Sequence, residues 1–300
     1  MPQNYNNADQ NESESHALVK SDKNSHALTV KGKGSLLALT DSILSSAITS
    51  RKANQLAVDE SWMKEIWAWA DKLEISEDQV PRNREMLFGL TSLELWGNNC
   101  NELPKSIGNL TNLTSLELWN NNLSELPESI GKLTNLISLN ISHNNFSELP
   151  ESIGNLNSLI QLSLTNNDFR KLPESIGNLN NLNWLSLSSN NLSELPESIG
   201  NLTNLLEFTL FKNNLSELPE SIGNLTNLYW LNLGRNNLSE LPESIGNLIN
   251  LTSLDISANN LSKLPESINQ LSNLTSLDLR DNNFSEIPAS IDRNRVEVFF

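Results

Sequence analysis

Apolar residues recur along most of this chain with a period of 23 residues. Starting at Leu90, nine successive copies follow the pattern LxxLxLxxNxLxxLPxxIGxLxx without an insertion or deletion, although residues of similar character replace one another at some positions. The leucines of the LxxLxL segment alternate with polar residues, which is typical of a β-strand with one buried face. A strand that returns every 23 residues predicts one parallel strand in each coil of a repeat array.

These copies resemble the leucine-rich repeat family, in the 23-residue form with an LPxxIGxL second half that many bacterial proteins carry. The resemblance covers about residues 90–296. It implies an α/β fold: a curved, horseshoe-shaped leucine-rich repeat solenoid with a parallel sheet on the concave side and short helical or irregular turns on the convex side. One copy buries too little apolar surface to offset the entropy of ordering its chain, so we expect the copies to fold only as a stacked array.

Asparagine occupies the ninth position of every copy, and the resemblance implies that these side chains form a ladder along the solenoid. An amide donates and accepts hydrogen bonds at once, so a buried asparagine can satisfy backbone groups where the chain leaves the strand. The members of this predicted ladder are Asn98, Asn121, Asn144, Asn167, Asn190, Asn213, Asn236, Asn259 and Asn282.

Proline and glycine occupy two further fixed positions. Proline fills the fifteenth position of every copy, where its locked φ is suited to opening a short helical turn. Glycine fills the nineteenth position from Gly108 to Gly246, and the last two copies carry Asn269 and Asp292 there. Asparagine and aspartate tolerate a left-handed backbone better than other non-glycine residues do. We therefore predict a positive φ at the nineteenth position.

The segments outside the repeats differ from them in character. Residues 1–34 have little apolar surface to bury and predict a disordered polar tail. Residues 35–89 predict a helical N-terminal region and cap, and residues 297–300 predict a C-terminal cap, because a solenoid exposes its core at both ends unless it is covered. Within DESWMKEIWAWADKLEI (59–75), helical spacing creates an apolar stripe. The residues on that stripe are Trp62, Ile66, Trp69 and Leu73, and Trp67 and Ala70 lie beside it.

Composition narrows the possible functions. The net charge of −16 argues against nucleic acid as a partner, because phosphates require a basic surface. Cys100 is the only cysteine and stands where other copies carry Leu or Phe, so it is predicted to be a buried apolar residue. No stretch approaches the length of a membrane span, which predicts a soluble protein in the cytoplasm or one exported without a classical signal peptide.

The sequence contains no constellation that indicates catalysis, a cofactor or a strong metal site. Asp255, Asp278 and Asp281 could line neighbouring coils, so weak calcium binding is a hypothesis for them. Calcium usually takes six or more oxygen ligands, whereas a few carboxylates on an open sheet are more often simply solvated.

The copies differ from one another most on the strand and just after it. If the leucines at the first, fourth and sixth positions point inward, the third, fifth and seventh positions face outward on the concave side. Large exposed aromatic residues are frequent anchors of interfaces. One predicted binding patch, in copies one and two, contains Trp96 and Trp119. The other, in copies five to seven, contains Trp184, Glu207, Phe211, Lys212, Tyr229, Trp230 and Arg235.

These observations predict a non-enzymatic module, favoured as a monomer, that binds a protein or peptide on its concave face. Similar repeats occur in bacterial cytoplasmic proteins and in effectors that pathogens inject into host cells, so an effector acting on host proteins is one form of this hypothesis. Some such effectors carry a C-terminal ubiquitin-ligase domain, and we expect no such activity here because nothing follows the last repeat. Two alternatives stay open: a substrate-recognition subunit with catalysis in another chain, and a structural solenoid whose aromatic residues only stabilise the sheet.

Overall fold

The computed structural model describes residues 60–289 and 291–300. The predictions for the polar tail (1–34) and for the N-terminal region up to residue 59 lie outside these described residues. The described part of the N-terminal region contains two α-helices, α1 (Ser61–Lys72) and α2 (Arg84–Phe88). Asn83 caps α2, where its side-chain oxygen accepts hydrogen bonds from the backbone N–H groups of Glu85 and Met86.

Three-residue strands form one open parallel sheet whose order follows the chain. Its strands, within the described residues, are β1 (Ser92–Glu94), β2 (Ser115–Glu117), β3 (Ser138–Asn140), β4 (Gln161–Ser163), β5 (Trp184–Ser186), β6 (Glu207–Thr209), β7 (Trp230–Asn232), β8 (Ser253–Asp255), β9 (Ser276–Asp278) and β10 (Glu297–Phe299). The first nine lie at the third to fifth positions of the nine copies. The parallel strand predicted in each coil is therefore confirmed. β10 pairs in parallel with β9 and extends the sheet beyond the last copy, while its role as a C-terminal cap stays a prediction.

A five-residue 3₁₀ helix follows the proline in each of the first eight copies. These helices span Lys105–Asn109, Glu128–Lys132, Glu151–Asn155, Glu174–Asn178, Glu197–Asn201, Glu220–Asn224, Glu243–Asn247 and Glu266–Gln270. The proline before each has a φ between −69° and −63°, which is the value that its ring imposes. Proline therefore opens the helical turn, as its position predicted.

The apolar positions of the repeat stack into one continuous core. At the eleventh position the rings of Phe146 and Phe169 are parallel, with centroids 6.2 Å apart. Cys100 occupies the same position in the first copy and is fully buried. Burial raises the pKa of its thiol to about 11, so Cys100 behaves as the buried apolar residue that its position predicted.

Helix α1 packs against the 3₁₀ helix of the first copy, with a face that overlaps the predicted stripe but is rotated from it. Its buried side chains are Met63, Ile66, Trp69 and Ala70. Trp62 and Leu73, which the predicted stripe included, lie at the edge of the contact and are only partly buried. The small Ala70 lets the helix approach closely, and the indole N–H of Trp69 donates a hydrogen bond to the backbone oxygen of Glu102 over 2.9 Å. These contacts set the rotation of the helix.

The predicted positive φ at the nineteenth position is wrong. Gly97 is the only described glycine with a positive φ. A Cβ added to Gly177 would lie 2.4 Å from the backbone oxygen of Ser198 in the next coil, so glycine is required because neighbouring coils approach so closely. Every eighth position is left-handed instead, with φ between 50° and 70°: Gly97, Asn120, His143, Asn166, Ser189, Lys212, Arg235, Ala258 and Asp281. Outside the eighth position, Glu74 and Asn99 are also left-handed.

The ninth-position asparagines join consecutive coils through their side-chain amides. The Nδ2 of Asn190 donates to the backbone oxygens of Leu164 (3.0 Å) and Leu187 (2.9 Å), and its Oδ1 accepts from the backbone N–H of Phe169 (3.2 Å). The same pattern holds from Asn121 to Asn282. Asn98 differs because no strand precedes β1 among the described residues, and within them its buried Nδ2 has no hydrogen-bond partner.

Candidate binding face

Outward-facing side chains of the strands form rows that cross the sheet. Leucines at the fourth and sixth positions, such as Leu185 and Leu187, are fully buried, so the third, fifth and seventh positions face outward. The strands pair without offset, and each outward residue therefore lies beside its equivalent in the next copy. Trp184 pairs with Glu207, and Glu207 pairs with Trp230.

The predicted residues of copies five to seven lie together on this face, and we call them the aromatic patch. The patch comprises Trp184, Glu207, Phe211, Lys212, Tyr229, Trp230 and Arg235. Adjacent strands are about 4.8 Å apart, so the backbones of Trp184 and Trp230 flank Glu207 at about 10 Å from each other. Both indoles are partly exposed, and Tyr229 is 39% exposed.

The aromatic patch has a negative end and a positive end. Glu207 lies at the start of β6, whereas Lys212 and Arg235 lie at exposed left-handed positions after the strands. Lys212 follows Glu207 by five residues and lies three positions beyond the end of β6. The guanidinium of Arg235 lies over the ring of Phe211, 5.5 Å from its centroid. This is a cation–π contact, in which the ring face attracts the positive charge.

At the negative end, the hydroxyl of Tyr229 donates a hydrogen bond to Oε1 of Glu207. This bond to a carboxylate raises the pKa of Tyr229 above its ordinary value. Within the described part of the chain, Glu207 forms no ion pair with a lysine or arginine. An open groove of about 480 Å³ adjoins it, lined by Ile160, Gln161, Asn183, Trp184, Leu206 and Glu207.

The first predicted patch, in copies one and two, has a different arrangement. The indoles of Trp96 and Trp119 stack with their centroids 5.2 Å apart and an angle of 9° between their planes. Trp96 is nevertheless 51% exposed. Glu94 and Glu117 pair directly across β1 and β2, and the pKa of Glu117 is raised, first by its burial and also by the charge of Glu94. Part of the aromatic surface of this patch is therefore covered by the stacking itself.

A strip of small hydroxyl side chains, which sequence reasoning missed, runs from copy three to copy six and overlaps the edge of the aromatic patch. Each pair joins the seventh position of one copy to the fifth position of the next. The pairs are Ser142 with Ser163 (2.6 Å), Thr165 with Ser186 (2.6 Å), and Ser188 with Thr209 (2.8 Å). The signal was present in the sequence as serine and threonine at both positions of neighbouring copies. Because these hydroxyls bond one another, the strip offers fewer free polar groups to a partner than its composition indicates.

Two of the three aspartates considered for calcium already bond to neighbouring residues. Oδ1 of Asp255 accepts hydrogen bonds from the backbone and side chain of Ser257, and Asp278 forms an ion pair with Arg280 at 2.5 Å. Among the described residues, no group of three or more His, Cys, Asp or Glu side chains is placed to hold a metal ion. The calcium hypothesis receives no support from this geometry.

The chain belongs to the leucine-rich repeat family. The family model described as a leucine-rich repeat region matches residues 71–168, 161–229 and 219–293, which together span more than half of the sequence. Proteins of this family are generally protein-interaction modules. A search of curated proteins found no match to the chain.

Several solved structures share the fold. An internalin from Listeria monocytogenes is 27% identical with a TM-score of 0.64, over 71% of this chain and 61% of its own. The leucine-rich repeat ectodomain of the Arabidopsis thaliana receptor kinase GASSHO1/SCHENGEN3, in complex with CASPARIAN STRIP INTEGRITY FACTOR 2, is 35% identical with a TM-score of 0.63, over 71% of this chain and 27% of its own. The plant peptide hormone receptor RGFR1, in complex with RGF2, is 33% identical with a TM-score of 0.56, over 71% of this chain and 40% of its own.

The chain spans less than two thirds of the length of each of these proteins. Neither α1 nor any other helix in residues 60–289 and 291–300 is long and apolar enough to cross a membrane.

Proposed function

We propose that this chain is a non-enzymatic module that binds a protein or peptide segment on the sheet face, at the aromatic patch. The observation that carries the proposal is the row Trp184–Glu207–Trp230, in which partly exposed indoles flank a carboxylate on three adjacent strands. Exposed tryptophans around a charged group are typical of interface anchors, because they bury a large area when a partner covers them.

The aromatic patch is a better candidate than the other parts of the face. The indoles of Trp96 and Trp119 already stack on each other, and the hydroxyls of the central strip bond one another. The patch also has a carboxylate at one end and two cations at the other, so it can orient a bound segment by charge. Two structural neighbours, the receptor kinase ectodomain and RGFR1, were solved with the named partners CASPARIAN STRIP INTEGRITY FACTOR 2 and RGF2.

Selection of peptides from a random display library on the full chain tests the proposal. The selected peptides are then titrated against wild type, the double variant Trp184→Ala/Trp230→Ala and the matched control Trp96→Ala/Trp119→Ala. Loss of an interface anchor costs about 2 kcal/mol or more, so we expect the first double variant to bind about 30-fold more weakly or worse. The control variant should bind within about threefold of wild type.

Equal binding by both double variants, with thermal stability unchanged, would refute binding at the aromatic patch. A substrate-recognition role or a purely structural role has no separate support in the geometry, and the structural role predicts that no peptide is selected at all.

We also propose a bacterial setting, either cytoplasmic or exported without a classical signal peptide. The repeat form resembles bacterial proteins, and the Listeria internalin is among the similar structures. An epitope-tagged chain produced in bacteria tests export: its appearance in the medium without cell lysis supports an effector-like role, and retention in the cells contradicts it.

A further inference from the structure

We propose that Trp184, Glu207 and Trp230 form a site for the side chain of an arginine, or less tightly a lysine, of the bound partner. This inference rests on the proposed function and names the chemistry that the aromatic patch selects. It assigns Glu207 a specific role: its carboxylate pairs with the cation while the two indoles enclose it.

The first argument is the arrangement of the three side chains. They lie in one row on β5, β6 and β7, with the carboxylate in the middle and an indole on each side. Strand β6 lies between the strands that carry Trp184 and Trp230, so the backbones of these two residues are about 10 Å apart. Aromatic faces attract a cation placed over them, and tryptophan attracts it most strongly.

The second argument is that Glu207 keeps unused capacity to accept hydrogen bonds. A carboxylate has about four lone-pair sites, and the hydroxyl of Tyr229 takes one of them, on Oε1. No cation within the described residues neutralises Glu207 by an ion pair. The patch's own cations do not pair with Glu207, and Arg235 lies over Phe211 instead.

The third argument is an open groove beside Glu207, on the Trp184 side of the row, which Trp230 does not line. Its volume is about 480 Å³, and its walls include Ile160, Leu206 and the indole of Trp184, with Glu207 as its one charged residue. Leu206 is 38% exposed, so part of the wall is apolar surface left open to solvent. A long side chain with an apolar stem and a cationic end matches these walls, because its stem covers the apolar groups while its charge reaches the carboxylate.

The charge of the whole chain favours the same ligand. The net charge of −16 attracts a basic segment and repels an acidic one. An apolar side chain would cover the indoles and leave the carboxylate of Glu207 unpaired. Arginine fits better than lysine because its planar guanidinium can stack on an indole and bond a carboxylate at the same time.

The indole N–H signals of the tryptophans give a direct test in the full chain labelled with ¹⁵N-tryptophan. The probe is N-acetyl-arginine N-methylamide, and the control is N-acetyl-citrulline N-methylamide, which has nearly the same shape and no charge. We expect the signals of Trp184 and Trp230, assigned from the Trp→Phe variants, to move saturably with the arginine probe. The citrulline control should move them at least about fivefold less at equal concentration. The signals of Trp96 and Trp119 serve as an internal reference.

Two variants identify the carboxylate responsible. Glu207→Gln keeps a side chain of the same size that still accepts a bond from Tyr229, and it should weaken arginine binding about fivefold. Glu117→Gln removes a carboxylate from the first patch and should leave this binding unchanged. Equal shifts with arginine and citrulline, or an unchanged affinity in Glu207→Gln, would overturn the inference.

The outcomes for the two proposals can be separated. If peptides selected on the aromatic patch bind equally well after each basic residue is replaced by citrulline or norleucine, the proposed function stands and the arginine site is wrong. If the arginine probe moves Trp184 and Trp230 but selected peptides bind elsewhere, the site stands and the proposed function is wrong.

Discussion

The asparagine ladder gives the sharpest prediction for stability, because its first member differs from all the others. Asn190 makes hydrogen bonds of 2.9–3.2 Å to three buried backbone groups, of Leu164, Leu187 and Phe169. The Nδ2 of Asn98, by contrast, has no hydrogen-bond partner in the part of the chain that the structure describes. The same substitution to alanine therefore removes a complete set of bonds at one site and much less at the other.

The magnitude follows from the number of backbone groups left without a partner. Each net hydrogen bond contributes about 1 kcal/mol, and an unsatisfied buried group costs about 1–3 kcal/mol. Asn190→Ala should therefore lower the free energy of unfolding by about 3 kcal/mol, and Asn98→Ala by less than about 1 kcal/mol. Asn190→Asp should be at least as destabilising as alanine, because a carboxylate cannot donate to the oxygens of Leu164 and Leu187 and repels them.

Equilibrium unfolding in urea, followed by circular dichroism, measures these differences, provided that the free energy of unfolding depends on urea concentration with the same slope in each variant. The reasoning would be refuted if Asn98→Ala destabilised the chain as much as Asn190→Ala. A loss below about 1 kcal/mol for Asn190→Ala would equally show that the ladder contributes little.

Two further predictions concern the backbone and the first patch. Gly177→Ala should lower the free energy of unfolding by about 3 kcal/mol, because the added Cβ would lie 2.4 Å from the backbone oxygen of Ser198. Gly97→Ala should cost only about 1–2 kcal/mol, the cost of a left-handed φ in alanine. Equal losses in urea unfolding would contradict the steric explanation. Burial and the charge of Glu94 raise the pKa of Glu117, so the folded state binds a proton at Glu117 more readily than the unfolded state does. Above the raised pKa, the ionised carboxylate of Glu117 therefore lowers the stability of the folded state. Glu117→Gln should therefore be more stable than wild type at neutral pH, by about 0.5 kcal/mol. This difference in the free energy of unfolding should shrink as the pH falls through the raised pKa of Glu117 and vanish below the ordinary pKa of a glutamate. A difference that does not depend on pH would contradict this explanation.

The composition of the candidate site followed from the sequence because the repeat has a constant period. In parallel coils of equal length, residues 23 positions apart become neighbours, so Trp184, Glu207 and Trp230 had to form one row once the strands paired without offset. Proline was equally predictable, since its ring restricts φ whatever surrounds it. Cys100 was assigned to the core because its position in every other copy is apolar.

The role of glycine could not be read from the sequence. A need for positive φ and a need for close approach both select glycine, and only the distance from Gly177 to Ser198 separates the two explanations. The left-handed residues themselves include Lys212 and Ala258, which have no local preference for that conformation. Stacking of the coils overrides local propensity there, so no single copy carries the signal.

The sequence by itself determined the strand period, the inward and outward faces and the identity of the residues in each row, because these depend on spacing along the chain. Only the tertiary structure decided how the side chains meet across coils. It stacked Trp96 on Trp119, paired the serine and threonine hydroxyls, bonded Tyr229 to Glu207 and selected the buried face of α1. Those contacts depend on distances between coils and on rotamers, which arise only when the whole array packs.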